Sequence, residues 1–82
     1  VTLEEAIENI DIGGITLIRA AAKNYESVAI ISDIKDYKTV QDALEKDGSV
    51  SLEIRKNLAL KAFQKTQEYD FAIHKYLVKN IK

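Results

Sequence analysis

Cysteine is absent from this 82-residue sequence, which removes disulfides, Cys-ligated zinc, iron–sulfur clusters and thiol nucleophiles together. Positive charge is not in excess: twelve Lys and Arg stand against thirteen Asp and Glu, for a net charge of -1. With no basic block to neutralise a phosphate backbone, nucleic acid is not expected as a partner. Long apolar runs are missing too. The longest uncharged stretches, such as Ile12 to Ile18 and Val28 to Ile31, fall far short of the roughly 18 residues a membrane span needs. No charged-then-apolar leader opens the chain, so a soluble, cytoplasmic protein is expected, with no membrane partner. Methionine is also absent and the first residue is Val1, which points to a piece of something longer.

What is present is ordinary globular material, 46% hydrophobic and 30% charged, which excludes a disordered tail or a low-complexity linker. A folded globule of this mass would expose roughly 4,900 Å² against about 13,300 Å² unfolded, so at best about 63% is buried. That is marginal for independent stability.

Along the chain, Thr2 followed by Glu5 is a capping box, and Leu3, Ala6, Ile7 and Ile10 share a helical face, which predicts a short helix over 2–10. Asp11-Ile12-Gly13-Gly14 breaks it with the chain's one pair of adjacent glycines. From Ile15 to Lys23 the run is apolar nearly all round, as in a helix buried on more than one side, and Ala20, Ala21 and Ala22 permit close approach. Val28-Ala29-Ile30-Ile31 is the pattern of a strand buried on both faces, as in a parallel sheet. Asp33 or Asp36 caps the next helix, carried by Tyr37, Val40, Ala43 and Leu44 and ended by Asp47-Gly48. Ser51 caps a much longer one, whose stripe includes Leu58, Ala59, Ala62, Phe63, Thr66, Tyr69, Ile73 and Leu77.

Two features of this layout do not close on themselves. A buried strand with no partner leaves its backbone donors and acceptors unpaired. A helix from Leu52 to Val78 is roughly 40 Å long at about 1.5 Å per residue, whereas a globule of this size has a radius of gyration near 12 Å. The expected fold is therefore α/β, with one buried strand, about four helices and a long terminal helix, belonging to a larger domain.

Few residues offer chemistry. The Asp11 to Gly14 turn leads a flexible backbone into a helix N-terminus, where anions bind readily; equally, the glycines end one helix and start the next with Asp11 as a cap. It matches neither the dinucleotide nor the triphosphate glycine loop. Lys23 complements a helix C-terminus, or donates to a developing oxyanion. Arg19, one turn earlier, suits a carboxylate or phosphate, with a structural ion pair the plainer reading. His74, the one histidine, follows Asp70 by four residues and reads as a solvated pair; no metal-ligand spacing and no Ser-His-Asp grouping can be assembled. Tyr37, Tyr69 and Tyr76 read as half-buried aromatics with a wet hydroxyl.

The string IDIGGITLIRAAAKN, Ile10 to Asn24, resembles the signature of the bifunctional purine biosynthesis protein family, which joins an IMP cyclohydrolase domain to an AICAR transformylase domain. The likeness continues through Asp36-Tyr37, Ser51-Leu52-Glu53-Ile54-Arg55, Lys61-Ala62-Phe63, Thr66 and Tyr69-Asp70, so it covers essentially the whole chain. The resemblance implies that residues 1–82 are the later part of the cyclohydrolase domain, a doubly wound α/β unit similar to methylglyoxal synthase. The preceding strands and the transformylase domain would lie outside the sequence. It further implies closure of the purine ring: the carboxamide nitrogen of formylated aminoimidazole carboxamide ribotide attacks the formyl carbon, and loss of water gives IMP.

Carried over by position, the resemblance makes Asp11 and Lys23 the catalytic pair and lets the backbone of Ile12, Gly13 and Gly14 line the nucleotide pocket. It implies no cofactor and no metal for this step, with formyl-tetrahydrofolate as co-substrate of the transformylase. The nucleotide substrate and the IMP product are the implied partners, in a homodimer of the intact protein. Ile15 stands where many members have Pro, and Tyr25 where many have His. On a straight helix Lys23 sits about 14 Å from Gly14, so the helix bends or starts late, or Lys23 approaches from another direction or subunit. Since the family's phosphate-binding loop and further catalytic residues would precede Val1, the fragment alone is not expected to turn over. The competing readings are a helical interaction module whose long helix packs on a partner, and a non-catalytic phosphate-binding domain.

Overall fold

A computed structural model describes residues 1–81. Four helices carry their regular structure: α1 (Leu3–Glu8), α2 (Gly13–Lys23), α3 (Asp36–Asp47) and α4 (Leu52–Asn80). Their ends obey local chemistry. The Thr2 hydroxyl accepts the Glu5 N–H at 3.1 Å, and the Ser51 hydroxyl accepts the Ile54 N–H at 3.2 Å, each satisfying a donor that the helix itself cannot. Gly48 closes α3 in the left-handed region at φ 72°, with its N–H on the Leu44 carbonyl. At the start of α3 the Asp33 carboxylate accepts the Lys35 N–H at 3.0 Å. That bond is the main reason the Asp33 carboxyl lies below the ordinary aspartate range; Lys65 and Lys61 pull in the same direction.

The core is built on alanine. Ala22 of α2 and Ala62 of α4 are fully buried and Ala59 nearly so, with Ile18, Tyr25 and Ile30 packed around them. Three methyl groups let the helices approach closely, but at about 0.8 kcal/mol each they contribute only about 2–3 kcal/mol. Polar clasps add to this. Arg55 donates from Nε to the Tyr25 carbonyl at 3.0 Å and from Nη1 to the Val50 carbonyl at 3.1 Å, joining the loop after α2 to the one before α4. The Lys61 ammonium lies 3.0 Å from both oxygens of Asp36, and Lys65 lies 3.8 Å from Asp33, so α4 grips the turn into α3. Thr66, buried on α4, donates its hydroxyl to the Phe63 carbonyl.

The strand expected at Val28 to Ile31 does not form, and among the described residues there is no sheet. These residues are half-buried and non-regular, and no backbone hydrogen bond joins Ala29 to Ser32 to any other described residue. The β-branched pattern reports burial on two faces; pairing requires a neighbour's ladder, and none is present among residues 1–81. The Ser32 hydroxyl is buried there without a partner. Among the described residues the arrangement is mostly helical, without the strand that the α/β expectation included.

A second correction concerns α2. Its all-round apolar sequence implied burial on more than one side, yet Leu17 is 73% exposed, because only α4 packs against the helix extensively. The overhang of α4 is as expected: the molecule measures 54 × 20 × 17 Å, with a radius of gyration of 16.0 Å. Its accessible surface of 6438 Å² exceeds the roughly 4,900 Å² of a compact globule of this mass. No helix of the described residues is long and apolar enough to cross a membrane.

Candidate functional site

The loop between α1 and α2 brings Asp11 to the first turn of α2. Its Oδ1 accepts the Gly14 N–H at 2.9 Å, while its own N–H donates to the Tyr69 hydroxyl on α4 at 2.7 Å. The turn separates α1 from α2 and the glycine pair opens α2, with the Asp11 carboxylate as the cap, which is one of the two readings the sequence offered. Thr16 donates both its N–H and its hydroxyl to the Ile12 carbonyl. That leaves Gly13 and Ile15 as first-turn donors without an intrahelical acceptor.

The two glycines differ. A β-carbon built on Gly13 meets nothing within 4 Å, whereas one on Gly14 would run into the Asp11 carboxylate, with Cγ at 3.1 Å. Gly14 is therefore the position that needs a bare backbone, and Gly13 is an exposed opening beside it. Ile12 is exposed as well.

Lys23 is exposed at the far end of α2, its positive charge in the last turn. It shares a shallow surface depression with Thr16, Arg19, Ala20 and Phe63. Among the described residues Arg19 has no ion-pair partner of the expected kind; its guanidinium lies over the Phe63 ring, 5.7 Å from the centroid. The helix runs unbroken from Gly13 to Lys23, so Lys23 stands about 14 Å from Gly14 along the axis and the chain does not bring Asp11 and Lys23 together. His74 and Asp70 are exposed on α4.

Sequence reasoning treated Tyr69 only as one more half-buried aromatic. Its ring lines an apolar hollow of about 240 Å³ between α1 and α4, beside Ala6, Ile10, Ile73 and Leu77, and its hydroxyl reaches the candidate loop. The signal was available in principle: a tyrosine on an otherwise apolar stripe needs a hydrogen-bond partner for its hydroxyl.

The comparison with known proteins now bears on this loop. A family model described as AICARFT/IMPCHase bienzyme matches residues 21–82. The chain belongs to that family. It is 57% identical over 77 residues to the bifunctional purine biosynthesis protein PurH of Lactobacillus delbrueckii subsp. bulgaricus, covering 94% of this chain and 15% of that protein. It is similarly 56% identical to PurH of Ruminiclostridium cellulolyticum, with the same coverage, and 56% identical over 78 residues to PurH of a Thermoanaerobacter species, covering 95% of this chain and 15% of that protein. The chain thus spans about 15% of the length of the curated relatives it matches.

Proposed function

We propose that residues 1–82 form the later part of the IMP cyclohydrolase domain of a bifunctional purine biosynthesis protein, and that Asp11 acts directly in ring closure. The observation that carries this reading is the Asp11 carboxylate, tied by one oxygen to the Gly14 N–H at the open start of α2 in a chain of this family. The reaction joins the carboxamide nitrogen to the formyl carbon. The carboxamide nitrogen gives up one proton as its bond to the formyl carbon forms, the formamido nitrogen gives up the second as its bond to that carbon becomes double, and the formyl oxygen takes both and departs as water, so nothing is oxidised or reduced. An amide nitrogen is a poor nucleophile, so a fixed carboxylate that accepts its N–H as the new bond forms is the contribution required.

The free Gly13 and Ile15 N–H groups and the positive end of α2 favour an anionic or polar ligand edge at the same place, and the missing side chain at Gly13 lets it come close. Lys23 supplies a donor to the formyl oxygen. Because α2 is straight, it does so from the opposite side of the ligand or within a neighbouring subunit's site.

The unpaired backbone of Ala29 to Ser32 and the buried Ser32 hydroxyl support a doubly wound α/β domain whose remaining strands would pair there. The intact protein is proposed to be a cytoplasmic homodimer that binds the nucleotide substrate and IMP. Formyl-tetrahydrofolate would serve only the formyl-transfer half, to which no residue of this chain is assigned.

Lys23→Ala in the intact protein tests the pocket from its second end. Ring closure, followed by absorbance, is expected to fall by about 10²-fold, the usual loss when one oxyanion donor is removed. The exposed position of Lys23 leaves the melting temperature essentially unchanged. A wild-type rate would remove Lys23 from the reaction. Titration with IMP that showed binding without any turnover of the open-ring substrate would favour a phosphate-binding domain instead.

A further inference from the structure

We propose that Tyr69 is the positioning residue for Asp11, an inference that rests on the reading of Asp11 given above. Fifty-eight residues separate the two, and their contact is the one tertiary hydrogen bond that reaches the candidate loop among the described residues. At 2.7 Å it is shorter than the usual N–H···O bond. The half-buried Tyr69 ring lines the hollow between α1 and α4 together with Ala6, Ile10 and Ile73, and its hydroxyl accepts the Asp11 N–H at the edge of that hollow.

Asp11 is consequently pinned twice. Its backbone is anchored to α4 through Tyr69, and its carboxylate is anchored to α2 through Oδ1 and the Gly14 N–H. The second carboxylate oxygen, Oδ2, accepts no hydrogen bond from the described residues and lies against the bare α-carbon of Gly14, on an exposed residue. With the Tyr69 acceptor removed, the loop is tied only to the helix it leads into, and the aim of the carboxylate follows the glycine pair. Misplacement by about 1 Å suffices to lose up to 10²-fold in rate. Tyr69 touches no reacting atom in this account; it acts through Asp11.

The test uses the intact protein in single-turnover ring closure, with Tyr69→Phe, Asp11→Asn and the double variant. Phenylalanine keeps the ring in its hollow and deletes only the acceptor. Tyr69→Phe is expected to lower kcat about tenfold while KM stays within about threefold, and to add no further loss in the Asp11→Asn background. A wild-type kcat in Tyr69→Phe would overturn the proposal. So would an equal loss in both backgrounds, since that would mean the hydroxyl stabilises the fold without aiming the carboxylate. A wild-type rate in Asp11→Asn alone would instead remove the parent reading, and the role of Tyr69 with it.

Discussion

Asp11→Asn in the intact protein is expected to lower ring closure by about 10³-fold, within the range that a positioned acid–base group commands. Asparagine is nearly isosteric, and its carbonyl oxygen can still accept the Gly14 N–H that Asp11 Oδ1 accepts now, so α2 keeps its cap. The substitution removes the negative charge and the capacity to take a proton from the carboxamide. Stability is therefore expected to change by no more than about 0.5 kcal/mol, as for other exposed sites. Formyl transfer, the other activity proposed for the intact protein, serves as the internal control and is expected to persist at the wild-type rate. Ring closure undiminished in the variant would show that the carboxylate is a helix cap and nothing more.

The glycine pair gives the second large effect, and its value lies in the contrast. Gly14→Ala places a β-carbon against the Asp11 carboxylate, which must swing away and release the Gly14 N–H. The loss of that cap costs about 1 kcal/mol of stability. The displaced carboxylate no longer meets the carboxamide, and ring closure is expected to fall about 10²-fold. Gly13→Ala adds the same methyl group to open space one residue earlier and is expected to leave folding intact. Because the ligand edge is proposed to come close there, KM is expected to rise while kcat stays within a few-fold of wild type. Steady-state kinetics and thermal melts of the two variants separate these outcomes. Equal rates in both would mean that Asp11 is not aimed at anything.

The helix ends were the most legible part of the sequence because their causes are local. Thr2, Ser51 and Gly48 act within three or four residues of themselves, and all three do what their chemistry indicates. The length of α4 and its overhang followed from an unbroken helical stripe and elementary geometry. The 14 Å separation of Asp11 and Lys23 was legible for the same reason, and the straight α2 retains it.

What was misread depended on groups distant in the sequence. Val28 to Ile31 carries the composition of a buried strand, yet composition does not supply the hydrogen bonds of a second strand. The reading of Asp11 as the cap of the helix that the glycines open, by contrast, needed only neighbouring residues, and its carboxylate does accept the Gly14 N–H. Arg19 found an aromatic ring in place of a carboxylate, since Phe63 arrives only when α4 packs on α2. That the Tyr69 hydroxyl needs a partner was legible, but that the partner is the Asp11 N–H was not, because it requires α1 to be seated on the far half of α4.

The central claim is that the start of α2 belongs to the nucleotide pocket of a ring-closing enzyme, with Asp11 touching the reacting part of the ligand. A crystal structure of the intact protein with IMP bound tests it most directly. The expected result places the six-membered ring of the purine within hydrogen-bonding distance of the Asp11 carboxylate, and a polar edge of the nucleotide on the N–H groups of Gly13 or Ile15. IMP bound elsewhere, with Asp11 still capping Gly14 and facing bulk solvent, would contradict the account.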